Sequence, residues 1–241
     1  MEKPQPNRRL PGVLRRGCSQ GDDSVSVVFP GLVTRESCSL FTCELIKHIL
    51  HQRHQLPLPY EQLLVFAKRQ QGSDEPVLRR PKVEDTVSRQ CQQTLSNVEK
   101  LVSQLETLFS ISSVPRVLLL MGGSPMNPRE LYEINLEDVQ LGNGEQSLRT
   151  RPCLRQIFRS LFFADPFSEL RSTSLMALVV MVQAHRDCGT DWFLPKLHFK
   201  VPNRRRILTV RLSCSEQQSL PASAEDYIWF QAPVTLKGFQ N

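Results

Sequence analysis

Three histidines, His48, His51 and His54, stand three residues apart, and imidazole is the commonest side-chain ligand for transition metals. A single helix chelates best through an i, i+4 pair on one face with a distant third ligand, whereas successive i+3 steps drift around the axis. The spacing speaks against a metal centre. His185 and Cys188 have the residue types of a thiol–imidazole pair, in which the ring takes the thiol proton and leaves a nucleophilic thiolate. Nothing in the pattern specifies an acid to orient that ring, so both read as loop residues. Gly122 and Gly123 follow an apolar run, as a phosphate-cradling turn would. Yet Ser124-Pro125-Met126-Asn127-Pro128 comes next, without the lysine and hydroxyl of GxxxxGK(S/T), so a tight turn is expected. No GxSxG nucleophile elbow occurs. The chain is read as a non-enzyme with no catalytic, cofactor or metal site.

Formal charge is +6 over 241 residues. The excess gathers in Arg8, Arg9, Arg15 and Arg16, in Arg79, Arg80 and Lys82, and in Arg204, Arg205 and Arg206. A nucleic-acid module would set such clusters on one face with aromatic rings between them. The first two lie instead in proline-containing stretches without aromatics, which read as solvated loops or a nuclear-import signal. A basic nucleic-acid-binding module built on these arginines is the rival reading. No apolar run approaches the ~20 residues that span a bilayer, and no membrane partner is expected. The basic start, MEKPQPNRRLPGVLRRG, lacks the apolar stretch of a secretory signal. Seven cysteines, an odd number with no CxxC pair, sit mostly in apolar patterns, as free thiols of a reducing compartment would.

The elements that must position these residues follow from period and punctuation. Residues 1–24, rich in Pro, Gly, Arg, Ser and Asp, read as a disordered basic tail. Residues 25–29 are a β-prone run ahead of Pro30-Gly31. A first helix is expected from Ser37, as its cap, to His54, with Phe41, Leu45 and Ile49 at helical spacing; Leu56-Pro57-Leu58-Pro59 breaks it. Residues 60–68 make a short second helix, and 70–82 a polar loop. Residues 84–110 carry the clearest stripe, with Val87, Cys91, Leu95, Val98, Val102, Leu105 and Leu108 three or four apart. Strands are expected at 117–121 and 131–136, and a Gly/Asn loop at 140–147. A third major helix follows at 153–163, with Leu154, Ile157, Phe158, Leu161 and Phe162 on one face. Further strands are expected at 175–182, 196–201, 207–213 and 226–235. This is not an alternating βαβ order. It gives an α+β fold, a mainly antiparallel sheet with three major helices on one face.

Residues 225–240, EDYIWFQAPVTLKGFQ, put Tyr227, Ile228, Trp229 and Phe230 in succession ahead of Val234, Leu236 and Phe239. Terminal segments fray unless held, and each bulky group left in water forgoes roughly 1.5–3 kcal/mol of burial. A strand clamped into the fold or against a partner is expected. Pro233 cannot donate to a ladder and belongs at an edge or bulge.

With that element order, five stretches resemble the comet family of HORMA-like proteins: 27–30 (VVFP), 41–45 (FTCEL), 56–63 (LPLPYEQL), 191–193 with 195–197 (DWF-x-PKL) and 225–239 (EDYIWFQAPVTLKGF). The resemblance implies one HORMA-like domain over 25–241, in which 165–241 form a C-terminal safety belt. It implies a non-enzymatic adaptor that binds the closed conformer of the mitotic arrest deficient two (Mad-two) checkpoint protein by imitating HORMA–HORMA dimerisation. It further implies presentation of that conformer to a hexameric AAA+ remodelling ATPase, disassembly of mitotic checkpoint complexes and silencing of the spindle assembly checkpoint. The location implied is nucleus and cytoplasm, with spindle or kinetochore association in mitosis. Matched motifs carry four residues over: Phe158 in CLRQIFRSLFF and Gln52 in KHILHQRHQLPLP to the Mad-two contact, Pro195 and Lys196 in DWFLPKL to the ATPase contact. Apart from the resemblance, Phe158 reads as core and Lys196 as a solvated charge.

Overall fold

In the computed structural model, which describes residues 23–71, 83–168, 170, 174–202, 207–215 and 226–240, DSVSVVF folds as β1 (Asp23–Phe29). Val25, Val27 and Phe29 turn inward while Ser24, Ser26 and Val28 face out, the alternation a pleated strand imposes. The strand thus takes in the last two residues of the expected 1–24 tail. The remainder of that tail, most of the 70–82 loop and all three arginine clusters lie outside the described residues.

Thr34, rather than Ser37, caps α1 (Arg35–Gln52): its hydroxyl accepts the Ser37 amide at 3.1 Å. Ser37 sits inside the first turn with its hydroxyl 2.7 Å from that of Thr150. Phe41, Leu45, Ile46, Ile49 and Leu50 are buried around most of the helix circumference. α1 stops at Gln52, short of His54, where the backbone turns left-handed (φ 53°) ahead of Pro57 and Pro59. α2 (Tyr60–Gln71) and α3 (Val83–Ile111) pack on each other, and α3 also packs on α1. Cys91, Leu95, Val98, Leu101, Leu105 and Leu108 form the inward stripe of α3, so Leu101 goes deeper than its neighbour Val102.

β2 (Arg116–Gly122) and β3 (Glu130–Asp138) form an antiparallel pair joined by residues 123–129, a longer connection than the tight turn expected at Gly122, with a turn where the Asn127 amide donates to Ser124 O at 3.2 Å. Gly122 has φ 149°, and a Cβ there would lie 2.8 Å from the Arg129 nitrogen, so the position needs glycine. A 3-10 turn, Gly144–Gln146, leads to α4 (Thr150–Ala164). Then come β4 (Ala177–His185), β5 (Leu194–Pro195), β6 (Ile207–Cys214), β7 (Tyr227–Gln231) and β8 (Leu236–Lys237). Two of these depart from expectation. The fourth strand runs three residues further than 182, and 196–201 is no strand. There Phe199 donates its amide to Lys196 O at 3.1 Å, closing a turn, and only Leu194 and Pro195 pair, with β7.

The strands lie in the order β1-β6-β3-β2-β4-β7-β5, with β8 also on β4. Only the joins of β6 to β1 and to β3 are parallel; the others are antiparallel. The fold is α+β, as expected, with four helices rather than three contributing to the main core on one face. Leu118, Leu120, Leu131, Val179, Met181 and Trp229 form a smaller core on the opposite face, with Phe199 and Val201 packed on it. Both faces of β2 are therefore covered, which is why VLLLM reads as an unbroken apolar run.

The C-terminal stretch is held at every step. β7 pairs with β4 from Met181 to His185, Pro233 interrupts the ladder, and β8 resumes it at Ala177 and Leu178. Phe230 enters the main core while Trp229 crosses to the other face, edge-on to Phe199 at 5.8 Å. Thr94 of α3 donates to Lys237 O at 2.9 Å, and Phe239 donates its amide to Gln55 O at 3.0 Å. Gln55 is wholly buried; its Oε1 accepts the Met176 amide at 2.6 Å and its Nε2 donates to Arg53 O at 2.8 Å. A Cβ on Gly238 would come within 2.5 Å of that Oε1.

Candidate functional site

α4 rests against β1, at one edge of the sheet, and such a position buries only a narrow stripe of a helix. Cys153, Ile157 and Leu161 are that stripe. Leu154 and Phe158 are half-buried beside it, while Phe162 and Phe163 are 80% and 72% exposed. Phe162 therefore leaves the inward face assigned to it from spacing. The two exposed rings meet edge-on at 5.9 Å, and the Arg159 guanidinium lies 5.5 Å from the centre of Phe163.

Phe158 sits where α4 meets α1. Its ring meets His48 edge-on at 5.2 Å, and His48 in turn meets Phe167 at 5.8 Å. Phe167 reaches Tyr132 of β3 at 6.2 Å. Beneath lies a polar anchor: Tyr132 donates its hydroxyl to Glu130 Oε2 at 2.6 Å, and buried Arg53 clasps both Glu130 oxygens at 2.9 and 2.6 Å. Burial, with the Glu130 bond second, pushes the Tyr132 hydroxyl pKa up. Burial, with His51 nearby, pushes His48 down, so its ring is neutral at pH 7. Three packed rings thus connect the surface Phe158 to a charge-paired support.

Phe158 borders a recess of about 210 Å³ with Glu44, Lys47, His48, His51 and Tyr60. Gln52, half-buried one helical turn beyond His48, borders a broader depression of about 650 Å³ with Asp165 and Phe167. His51 lines both, so the fold brings Phe158 and Gln52, distant in sequence, onto one continuous surface. Pro195 and Lys196 lie elsewhere. β5 is the opposite edge strand, where Pro195 is exposed and Lys196 gives its amide to Trp229 O at 2.7 Å. Leu194 and Leu197 beside them are 45% and 68% exposed. Six strand spacings separate β1 from β5, roughly 29 Å.

The residues that suggested chemistry are occupied otherwise. His48 is packed between rings, and among the described residues no group of three His, Cys, Asp or Glu could hold a metal. His185 Nδ1 accepts the Asp187 amide at 3.1 Å, and the Cys188 amide donates to His185 O at 3.0 Å, a turn as expected. Burial pushes the Cys38 and Cys43 thiols up to about 12, far from thiolate reactivity. Sequence reasoning did not single out Phe163 or the arginines of α4, which the helix leaves exposed. Their signal was present: Arg151, Arg155 and Arg159 recur at four-residue steps in a helix with no acidic residue.

A sheet with helices banked on one face, a C-terminal segment paired into it and a recessed aromatic surface fit the HORMA-like class of α+β domain. The family model described as "p31comet: Mad1 and Cdc20-bound-Mad2 binding" matches residues 14–241. The chain is 52% identical over 221 residues to a MAD2L1-binding protein of Mus musculus, a match spanning 91% of this chain and 80% of the relative. A MAD2L1-binding protein of Homo sapiens is 51% identical over 222 residues, spanning 91% and 81%. The chain belongs to the p31comet family.

Proposed function

We propose that this chain is a non-enzymatic adaptor that binds the closed conformer of Mad2 through the α1–α4 surface. It presents that conformer to a hexameric AAA+ remodelling ATPase through Pro195 and Lys196, and so takes apart mitotic checkpoint complexes in the nucleus and cytoplasm. The observation that carries this reading is the recess at the α1–α4 junction. There Phe158 stands half out of the core, backed by His48 and Phe167, with Gln52 on the adjoining surface. An aromatic ring held rigid at the rim of a recess is the kind of anchor that concentrates binding energy. Family membership and the relatives' names supply the partner.

The C-terminal segment acts as a safety belt fastened on its own body, through Thr94, Gln55 and the β4 ladder. The domain then stands permanently in a closed form, which leaves the helical surface free for a second HORMA domain. Because the two contact regions lie at opposite sheet edges, they are separable by mutation. Pull-downs with locked Mad2 conformers are expected to recover the closed form and not the open one; equal recovery would refute conformer recognition. Lys196→Ala is expected to keep Mad2 binding while ATPase-driven conversion slows. Joint loss of both would show a single shared surface.

A further inference from the structure

The outer face of α4 is unlike the rest of this surface. Arg151, Arg155 and Arg159 are all exposed, none is ion-paired with a described residue, and the helix holds no carboxylate of its own. Like charges four residues apart repel, and Arg151 lies in the first turn, where the helix dipole disfavours a cation. Next to the row stand Phe162 and Phe163, two rings that no other described element covers. Helical geometry sets Arg155 and Phe162 one turn to either side of Phe158, so this face runs straight on from the recess. Arginine and phenylalanine side by side, touching one another but with no carboxylate partner among the described residues, are the residue types enriched at protein interfaces.

We propose that Arg155, Arg159, Phe162 and Phe163 form the second half of the docking surface and receive a carboxylate-bearing segment of the Mad2-class partner. Its acidic groups pair with the two arginines and its apolar recess takes the two rings. This rests on the reading above, in which the α1–α4 surface docks that partner. Other occupants fit less well. A second copy of the chain meeting face to face would set arginine row against arginine row. A phosphate backbone following the arginines would run onto Glu44, Glu61 and Asp165 around the adjoining recesses. A membrane would need a broad apolar face, and the apolar stripe of α4 is committed to the core.

Titration of the purified chain with closed Mad2 at low and high salt tests this. Phe162→Ala combined with Phe163→Ala is expected to weaken binding about tenfold at both salts, with the thermal midpoint unmoved. Arg155→Glu combined with Arg159→Glu is expected to weaken it about tenfold at low salt and clearly less at high salt. Should either double variant disturb helicity, Arg155→Gln with Arg159→Gln supplies the milder measurement. If Phe158→Ala weakens binding while every α4 variant binds like the parent, this inference falls and the proposed function stands. If the parent itself fails to bind closed Mad2, both fall. Concentration-dependent self-association, or binding to phosphatidylserine vesicles or duplex DNA, that these variants abolish with Mad2 affinity unchanged would likewise overturn it.

Discussion

The C-terminal strands and helix α4 are both rich in aromatic residues, and the fold treats them in opposite ways. Trp229, Phe230, Leu236 and Phe239 are buried, and the backbone around them is tied to Gln55, α3 and β4 by hydrogen bonds. Phe162 and Phe163 stand in solvent, and Phe158 is only half covered. Rings of similar apolar area are therefore buried in one region and left at the surface in the other. The difference lies in position: β7 and β8 run along a strand with neighbours on both faces, while α4 lies over the edge strand β1.

Mutations can break or sharpen that contrast. The largest effect is expected at Phe239, 1% exposed, where Phe239→Ala should cost about 3–5 kcal/mol in chemical denaturation. A loss comparable to that of an exposed ring would mean the terminus is not fastened. Gln55→Ala comes next, at about 1–3 kcal/mol, because it leaves the buried Met176 amide without its 2.6 Å acceptor. A near-zero change there would show that the Gln55 side-chain bonds to Met176 and Arg53 contribute nothing.

The terminal clamp was legible in sequence because a run such as YIWF has nowhere to go but inward, and Pro233 marks the break in its ladder. The long stripe of α3 was legible for the same reason, since a periodic apolar face must meet a core. α4 was not. Phe158 and Phe162 have the same i, i+4 spacing whether one or both are covered, and only the helix's position over the sheet edge decides. The apparent strand at 196–201 failed because Leu197, Phe199 and Val201 alternate as a strand would, yet Lys196 already spends its amide on Trp229 O and a turn follows. Thr34 and Ser37 offered the same hydroxyl three residues apart, so the cap could not be chosen locally. Gln55 gave no signal, as its partners at Met176 and Phe239 are far away in sequence.

The smallest expected effect is one of pH, at the junction behind Phe158. Burial lowers the His48 pKa below its ordinary value, so the unfolded chain binds that proton more readily than the folded one. The stability this contributes is complete above the unfolded pKa of about 6.5 and is lost as pH falls toward the lower folded value. His51 is shifted the same way, also by burial first. Thermal midpoints measured between about pH 7.5 and 5 should therefore fall on acidification, and less steeply in His48→Phe. An identical slope in that variant would remove His48 as a source.

The most direct test of a rigid aromatic anchor on a docking domain is calorimetric titration of Phe158→Ala with closed Mad2, alongside its thermal midpoint. The account expects affinity to drop by at least ~2 kcal/mol, about thirtyfold, in a variant that still unfolds cooperatively. Parent-like affinity in that folded variant would contradict it.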